Sequence, residues 1–252
     1  MKSGNSFITI LNKFPKKRKE LPEEYKIIYN KHYKSNREGE TKVTSLSMKM
    51  EKWLHKIVAS DVINSKENFK TLEIGAGTLN QILYEPNSKD YDIVEPFHYL
   101  YEGSRHLNQI KNIYKDINKI NNNIKYSRIT SVATFEHITN LPEVVARAVL
   151  LLESTGSLRV SVPNEGTIFW KLGTMITGFE FKRMYGLDYQ VLMKYEHINT
   201  AKEIEIVLKY FFRNISTKSF GINKNLAFYR FFNCKEPDYE IAKRYLENCI
   251  NK

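Results

Sequence analysis

Apolar positions along this chain follow two periods. Tyr25, Ile28, Tyr29 and His32 recur at helical spacing and predict a helix from Glu23 to Tyr33. Lys34 to Thr44 is polar and predicts a loop. Leu46, Met50, Trp53, Leu54 and Val58 predict a second helix over 45–58. Short apolar runs then alternate with helical patterns. Strands are predicted at Lys70–Ile74, Tyr91–Val94, Ile113–Lys115, within Ile124–Ala133, and at Ser157–Val162. Helices are predicted between them at Leu79–Tyr84, Phe97–Lys111 and Pro142–Leu152, with Pro142 suited to a first turn. An aromatic-rich helical insertion begins near Thr167. Thr200–Phe211 is amphipathic, with Thr200 as N-cap and Glu203 completing a capping box. Thr217–Gly221 and Asn225–Phe232 predict two last strands, and Pro237–Lys252 a closing helix. Strand–helix alternation predicts an α/β fold around a parallel sheet. The expected organisation is a helical cap over 1–67 and a main domain over 68–252, with the insertion at about 167–199.

Composition narrows this picture. The 252 residues, 42% hydrophobic and 13% aromatic, suffice for one domain with a full core. Cys234 and Cys249 are the two cysteines, too few for a disulfide framework or zinc cluster. A reducing, cytoplasmic location is expected. Met1–Pro15 lacks a signal-type apolar stretch, and no run has the length of a membrane span. The net charge of +11 invites a nucleic-acid partner, but lysines are scattered, and the one dense run is Lys16-Lys17-Arg18-Lys19. That run is expected to be a solvated tail. A basic surface also suits an anionic acceptor such as a nucleotide-sugar.

The most informative segment is Thr71-Leu72-Glu73-Ile74-Gly75-Ala76-Gly77-Thr78-Leu79-Asn80, a strand entering a glycine turn. Gly75 permits a sharp turn closed to residues with a Cβ, and Gly77 leaves room for a ligand beside the backbone. A second acid, Glu95, ends the next strand at the spacing of a βαβ nucleotide site, where it can accept from both ribose hydroxyls. A dinucleotide fingerprint requires a third glycine where Asn80 stands, and no P-loop Gly-Lys-Ser/Thr follows. Glu73 would repel pyrophosphate and attract a sulfonium-bearing methionyl group.

Glu73-Ile74-Gly75-Ala76-Gly77-Thr78 resembles motif I of the class I S-adenosylmethionine-dependent methyltransferases, departing from it where Leu79 replaces the last glycine. Ser131-Val132-Ala133-Thr134-Phe135-Glu136-His137-Ile138 resembles their Leu-Glu-His segment after strand 4. Gly156 to Asn164 resembles their strand 5, so the likeness runs in order over about 68–166. It implies a Rossmann-like, seven-stranded, mostly parallel sheet with an antiparallel last strand, a helical cap closing over the cofactor, and a helical insertion after strand 5. It implies S-adenosylmethionine as cofactor, with S-adenosylhomocysteine as product. Glu73 and the turn of Gly75, Ala76, Gly77, Thr78 and Asn80 would meet it, chiefly at the methionyl part. Glu95 would bind the ribose, Pro96 and Phe97 the adenine, Asp116 the adenine amino group, and Thr134 the methionyl pocket.

Catalytic candidates follow from position. Glu136 and His137 lie beyond strand 4, where open α/β sheets place their chemistry, and an imidazole can take a hydroxyl proton. His197, after the insertion, would add a second wall. Tyr25, Tyr29, His32, Tyr33, Trp170, Arg183 and Tyr185 are candidate acceptor contacts. No metal is expected. The acceptor predicted is an O or N atom of a small molecule, such as a sugar or nucleotide-sugar in saccharide or secondary-metabolite biosynthesis. Two rivals remain: an RNA methyltransferase, favoured by charge, and an inactive cofactor-binding scaffold.

Overall fold

The seven strands join in one sheet of order β3-β2-β1-β4-β5-β7-β6. They are β1 (Lys70–Ile74), β2 (Asp90–Val94), β3 (Asn112–Tyr114), β4 (Tyr126–Val132), β5 (Leu152–Pro163), β6 (Phe212–Gly221) and β7 (Ala227–Pro237). β1 to β5 run parallel, and β7 is antiparallel to both its neighbours, as the expected fold requires. The computed structural model describes residues 4–29, 45–65, 67–86, 90–165, 167–223 and 225–250. His32, Tyr33 and the loop expected at Lys34–Thr44 lie outside them. The helices are α1 (Gly4–Leu11), α2 (23–29), α3 (Ser45–Val58), α4 (Leu141–Leu151), α5 (Ile168–Tyr185), α6 (Tyr189–Glu196), α7 (Ala201–Phe211) and α8 (Tyr239–Ile250).

Strand alternation assigns the two faces of the sheet. Ile129, Leu158 and Val160 pack with buried residues of α4, α7 and α8 in the main core. Arg128 and Arg159 point the other way, into the end of α3. Both donate to the Val58 carbonyl at 2.7 Å, and Arg159 also reaches Ile57 O at 3.0 Å. Carbonyls in the last turn of a helix outnumber intrahelical donors, and here the guanidinium groups, with Ser60 Oγ on Ile57 O at 2.8 Å, supply donors. Asp61, 2.9 Å from Arg128, and Glu85, 2.5 Å from it, balance the buried charge.

The residues before β1 disperse over three places. Phe7 of α1 meets Tyr210 of α7 at 5.9 Å, Leu21 and Tyr25 pack with Phe181 and Leu192, and α3 takes the opposite sheet face. The expected helix at Phe97–Lys111 is absent: short turns at His98–Leu100 and Leu107–Gln109 replace it. Ser104 Oγ accepts from His106 N at 3.3 Å, a local bond that competes with helix continuation beside Gly103. The insertion divides at Gly186, whose φ of 72° ends α5.

Candidate functional site

The sheet order reverses between β1 and β4, so a crevice opens beyond their carboxyl ends. Gly75 leaves β1 with φ +74°, and a Cβ there would lie 2.2 Å from Thr134 Cγ2. Thr134 Oγ1 in turn donates to Gly75 O at 3.2 Å, joining the two strand ends. Leu79 stands where the motif's last glycine would be. It adopts the same left-handed backbone, φ 67° and ψ 29°, while fully buried. Ala133, just after β4, is also left-handed at φ 47°. Strained backbone on both sides of one crevice is common at ligand sites.

Glu95 organises the turn. Its Oε2 accepts from Gly77 N at 2.8 Å and its Oε1 from Phe97 N at 3.1 Å, so it stands at the cavity wall already oriented. Asp116 follows β3 and accepts from Asn118 N at 2.9 Å. Glu73 sits differently from its expected place facing a sulfonium. It is buried outside the cavity lining, and Tyr91 Oη donates to it at 2.9 Å. Burial holds its pKa well above the usual carboxylate range, against the Tyr91 hydrogen bond.

The opposite wall comes from the ends of β4 and α6. His137 Nδ1 faces the Glu196 carbonyl at 2.9 Å, and His197 Nδ1 contacts the Glu165 carboxylate. The two imidazoles meet edge to face at 4.9 Å, and Trp170 stacks over His197 at 6.0 Å. Glu136 is 2% exposed; its Oε1 is 3.8 Å from His137 Nε2 and its Oε2 has no hydrogen-bond partner among the described residues. Burial raises the Glu136 pKa to about 7, although His197 lowers it. For His197, burial disfavours the cation, but Glu165, Glu136 and Glu196 outweigh it and raise the pKa.

One cavity of about 1060 Å³ joins these halves. Among the expected cofactor residues, Gly75, Glu95, Pro96, Phe97, Asp116 and Thr134 line it, and Ala76, Gly77, Thr78 and Asn80 do not. His137 and His197 line it, with Glu136 buried behind them. Tyr29 lines it too. Tyr25 is buried instead, its hydroxyl accepting from Asp188 N at 2.9 Å. Tyr185 packs on Phe181 at 4.9 Å, and Arg183 is exposed.

The basic run is only half solvated: Lys17 and Lys19 are exposed, whereas Lys16 and Arg18 are anchored. Lys16 Nζ binds Ile198 O at 2.7 Å and Glu203 at 2.9 Å; Arg18 binds His137 O at 2.6 Å and lies over the Tyr195 ring. Arg18 therefore belongs to the cavity wall. Its charge was visible in the sequence; its distant acceptors were not.

No protein-family model and no curated protein matches this sequence. Among solved structures, the plantazolicin methyltransferase BpumL, in complex with a triazolic desmethylPZN analog and SAH, is similar with a TM-score of 0.56. Identity is 12%, covering 92% of this chain and 99% of that one. The CurJ carbon methyltransferase gives a TM-score of 0.51 at 16% identity, covering 74% of this chain and 55% of that one. At such identity the likeness is one of architecture: the chain has the fold of the class I S-adenosylmethionine-dependent methyltransferases.

Proposed function

We propose that this chain transfers a methyl group from S-adenosylmethionine to an O or N atom of a small molecule. The observation carrying this reading is the single cavity with Gly75, Glu95 and Asp116 on one side and His137 and His197 on the other. Pockets for drug-sized ligands span about 300–1,000 Å³, so a cavity of about 1060 Å³ suits a cofactor together with a small acceptor. Glu95 would turn to the ribose, Phe97 to the adenine, and the Gly75–Thr134 junction to the methionyl end. Glu136, His137 and His197 would receive the acceptor.

A neighbouring hollow of about 420 Å³ supports an anionic acceptor such as a nucleotide-sugar: Arg18, Lys19 and Lys26 line it, with Glu20 as the opposing charge. Calorimetric titration with S-adenosylhomocysteine tests the cofactor. Micromolar binding that Glu95→Ala weakens at least tenfold is expected, about 1.4 kcal/mol. Absence of binding removes the proposal. Turnover that falls steeply with salt would redirect the acceptor assignment to RNA.

A further inference from the structure

We propose that Glu136, His137 and His197 together hold a divalent transition-metal cation, whose remaining positions face the acceptor. This inference rests on the methyltransferase reading for its purpose but not for its geometry. Each residue offers one ligand atom, and these atoms all lie within 4.8 Å of one another. The residues arrive from two segments, one after β4 and one after α6, 60 positions apart.

Two features distinguish this cluster from a chance grouping. The first is how the imidazoles are held. A carbonyl oxygen only accepts, so the Glu196 carbonyl fixes the proton of His137 on Nδ1 and the lone pair on Nε2, the atom nearer Glu136. The Glu165 carboxylate holds Nδ1 of His197 in the same way. Ligating histidines characteristically give their other ring N–H to a backbone carbonyl or a carboxylate, which fixes both tautomer and ring orientation. The second feature is Glu136 itself, a carboxylate 2% exposed whose Oε2 has no hydrogen-bond donor among the described residues. Leaving such an oxygen unmatched is costly, and a cation would satisfy it.

Two imidazoles with one carboxylate favour Mn²⁺, Fe²⁺, Co²⁺ or Zn²⁺ over the harder Mg²⁺ and Ca²⁺. Such a site leaves positions open for ligands from the cavity. A hydroxyl oxygen of the acceptor fits one of them. Coordination lowers the hydroxyl pKa, and its proton passes to water. The oxygen then forms the new O–CH₃ bond while the sulfonium C–S bond breaks, its electron pair remaining on sulfur as the neutral thioether.

Metal-stripped protein titrated with Co²⁺, followed by visible absorption, and with Mn²⁺, followed by electron paramagnetic resonance, tests the site. One equivalent should bind. His137→Ala and His197→Ala should each weaken binding more than tenfold, and Glu165→Gln, which perturbs only the orienting partner, by about tenfold. The exposed His98→Ala should leave it unchanged. Circular dichroism and S-adenosylhomocysteine calorimetry on every variant identify folded protein. Protein that binds S-adenosylhomocysteine but neither metal overturns the metal site and leaves the methyltransferase reading intact. Metal binding that survives in both folded histidine variants, or in folded Glu136→Gln and Glu165→Gln if the histidine variants misfold, also overturns it. Metal binding without S-adenosylhomocysteine binding upholds the site and overturns the cofactor assignment instead.

Discussion

Arg18 Nη2 donates to the His137 backbone carbonyl at 2.6 Å, linking the basic N-terminal run to the residue after β4 that lines the cavity. A hydrogen bond from a charged donor contributes about 1.5–3 kcal/mol, and here it holds the segment carrying the imidazole. Arg18→Ala should lower methyl transfer about tenfold or more and lower the melting temperature by several degrees, leaving the protein folded at assay temperature. Steady-state kinetics beside a thermal melt measure both. Unchanged turnover would reduce Arg18 to a surface contact.

Leu79 combines a fully buried side chain with a left-handed backbone. Leu79→Ala should cost about 2–5 kcal/mol, from lost transfer energy and the cavity left behind. Leu79→Gly removes still more carbon but relieves backbone strain of about 1–2 kcal/mol. The glycine variant should therefore be at least as stable as the alanine variant in urea unfolding. A glycine variant about 1 kcal/mol weaker than alanine, the ordinary order within regular structure, would contradict the strain argument.

Glu203 closes the capping box of α7 and pairs with Lys16. Burial pushes its pKa up, but Lys16, the Thr200 amide and Lys13 outweigh burial and depress it to about 2. A depressed folded-state pKa stabilises the protein above the ordinary value of 4.5, and this contribution is lost as pH falls toward about 2. Replacing Glu203 with Gln keeps a capping acceptor but removes the titration. Between these limits the parent should lose on the order of 2 kcal/mol more than Glu203→Gln. Parallel acid limbs in denaturant titrations would exclude the linkage.

Arg128 is fully buried against Glu85 and Asp61. Truncating one partner leaves an uncompensated charge, so Glu85→Ala should cost about 3–5 kcal/mol. Pairing Glu85→Leu with Arg128→Met should recover much of that loss, because apolar groups of similar volume can replace a buried ion pair. A double variant as unstable as Glu85→Ala would show that Arg128 acts mainly by closing the end of α3.

The parallel strands and the glycine turn were legible in the sequence because their causes are local. Continuous apolar runs identify doubly covered strands, and Gly75 answers a steric demand at its own position. Longer-range features escaped. Glu203 was recognised as a cap, but its bond to Lys16 spans 187 positions. His137 and His197 were separate candidates; their meeting at 4.9 Å depends on where α6 ends over β4. Glu73 was expected to face the ligand, yet Tyr91 on the paired strand draws its carboxylate into the interior. Apolar spacing over 97–111 suggested a helix, but periodicity does not register the Ser104 bond that stops it.

The anchors of Lys16 and Arg18 also impose a sequence of events on a nascent chain. Both residues leave the ribosome before their partners: His137 follows Arg18 by 119 positions and Glu203 follows Lys16 by 187. Strands β1 to β4 are synthesised before α7, the last of these anchors, exists. During synthesis the ligand-facing side therefore remains uncovered until α6 and α7 arrive, and its rim assembles after strands β1 to β4.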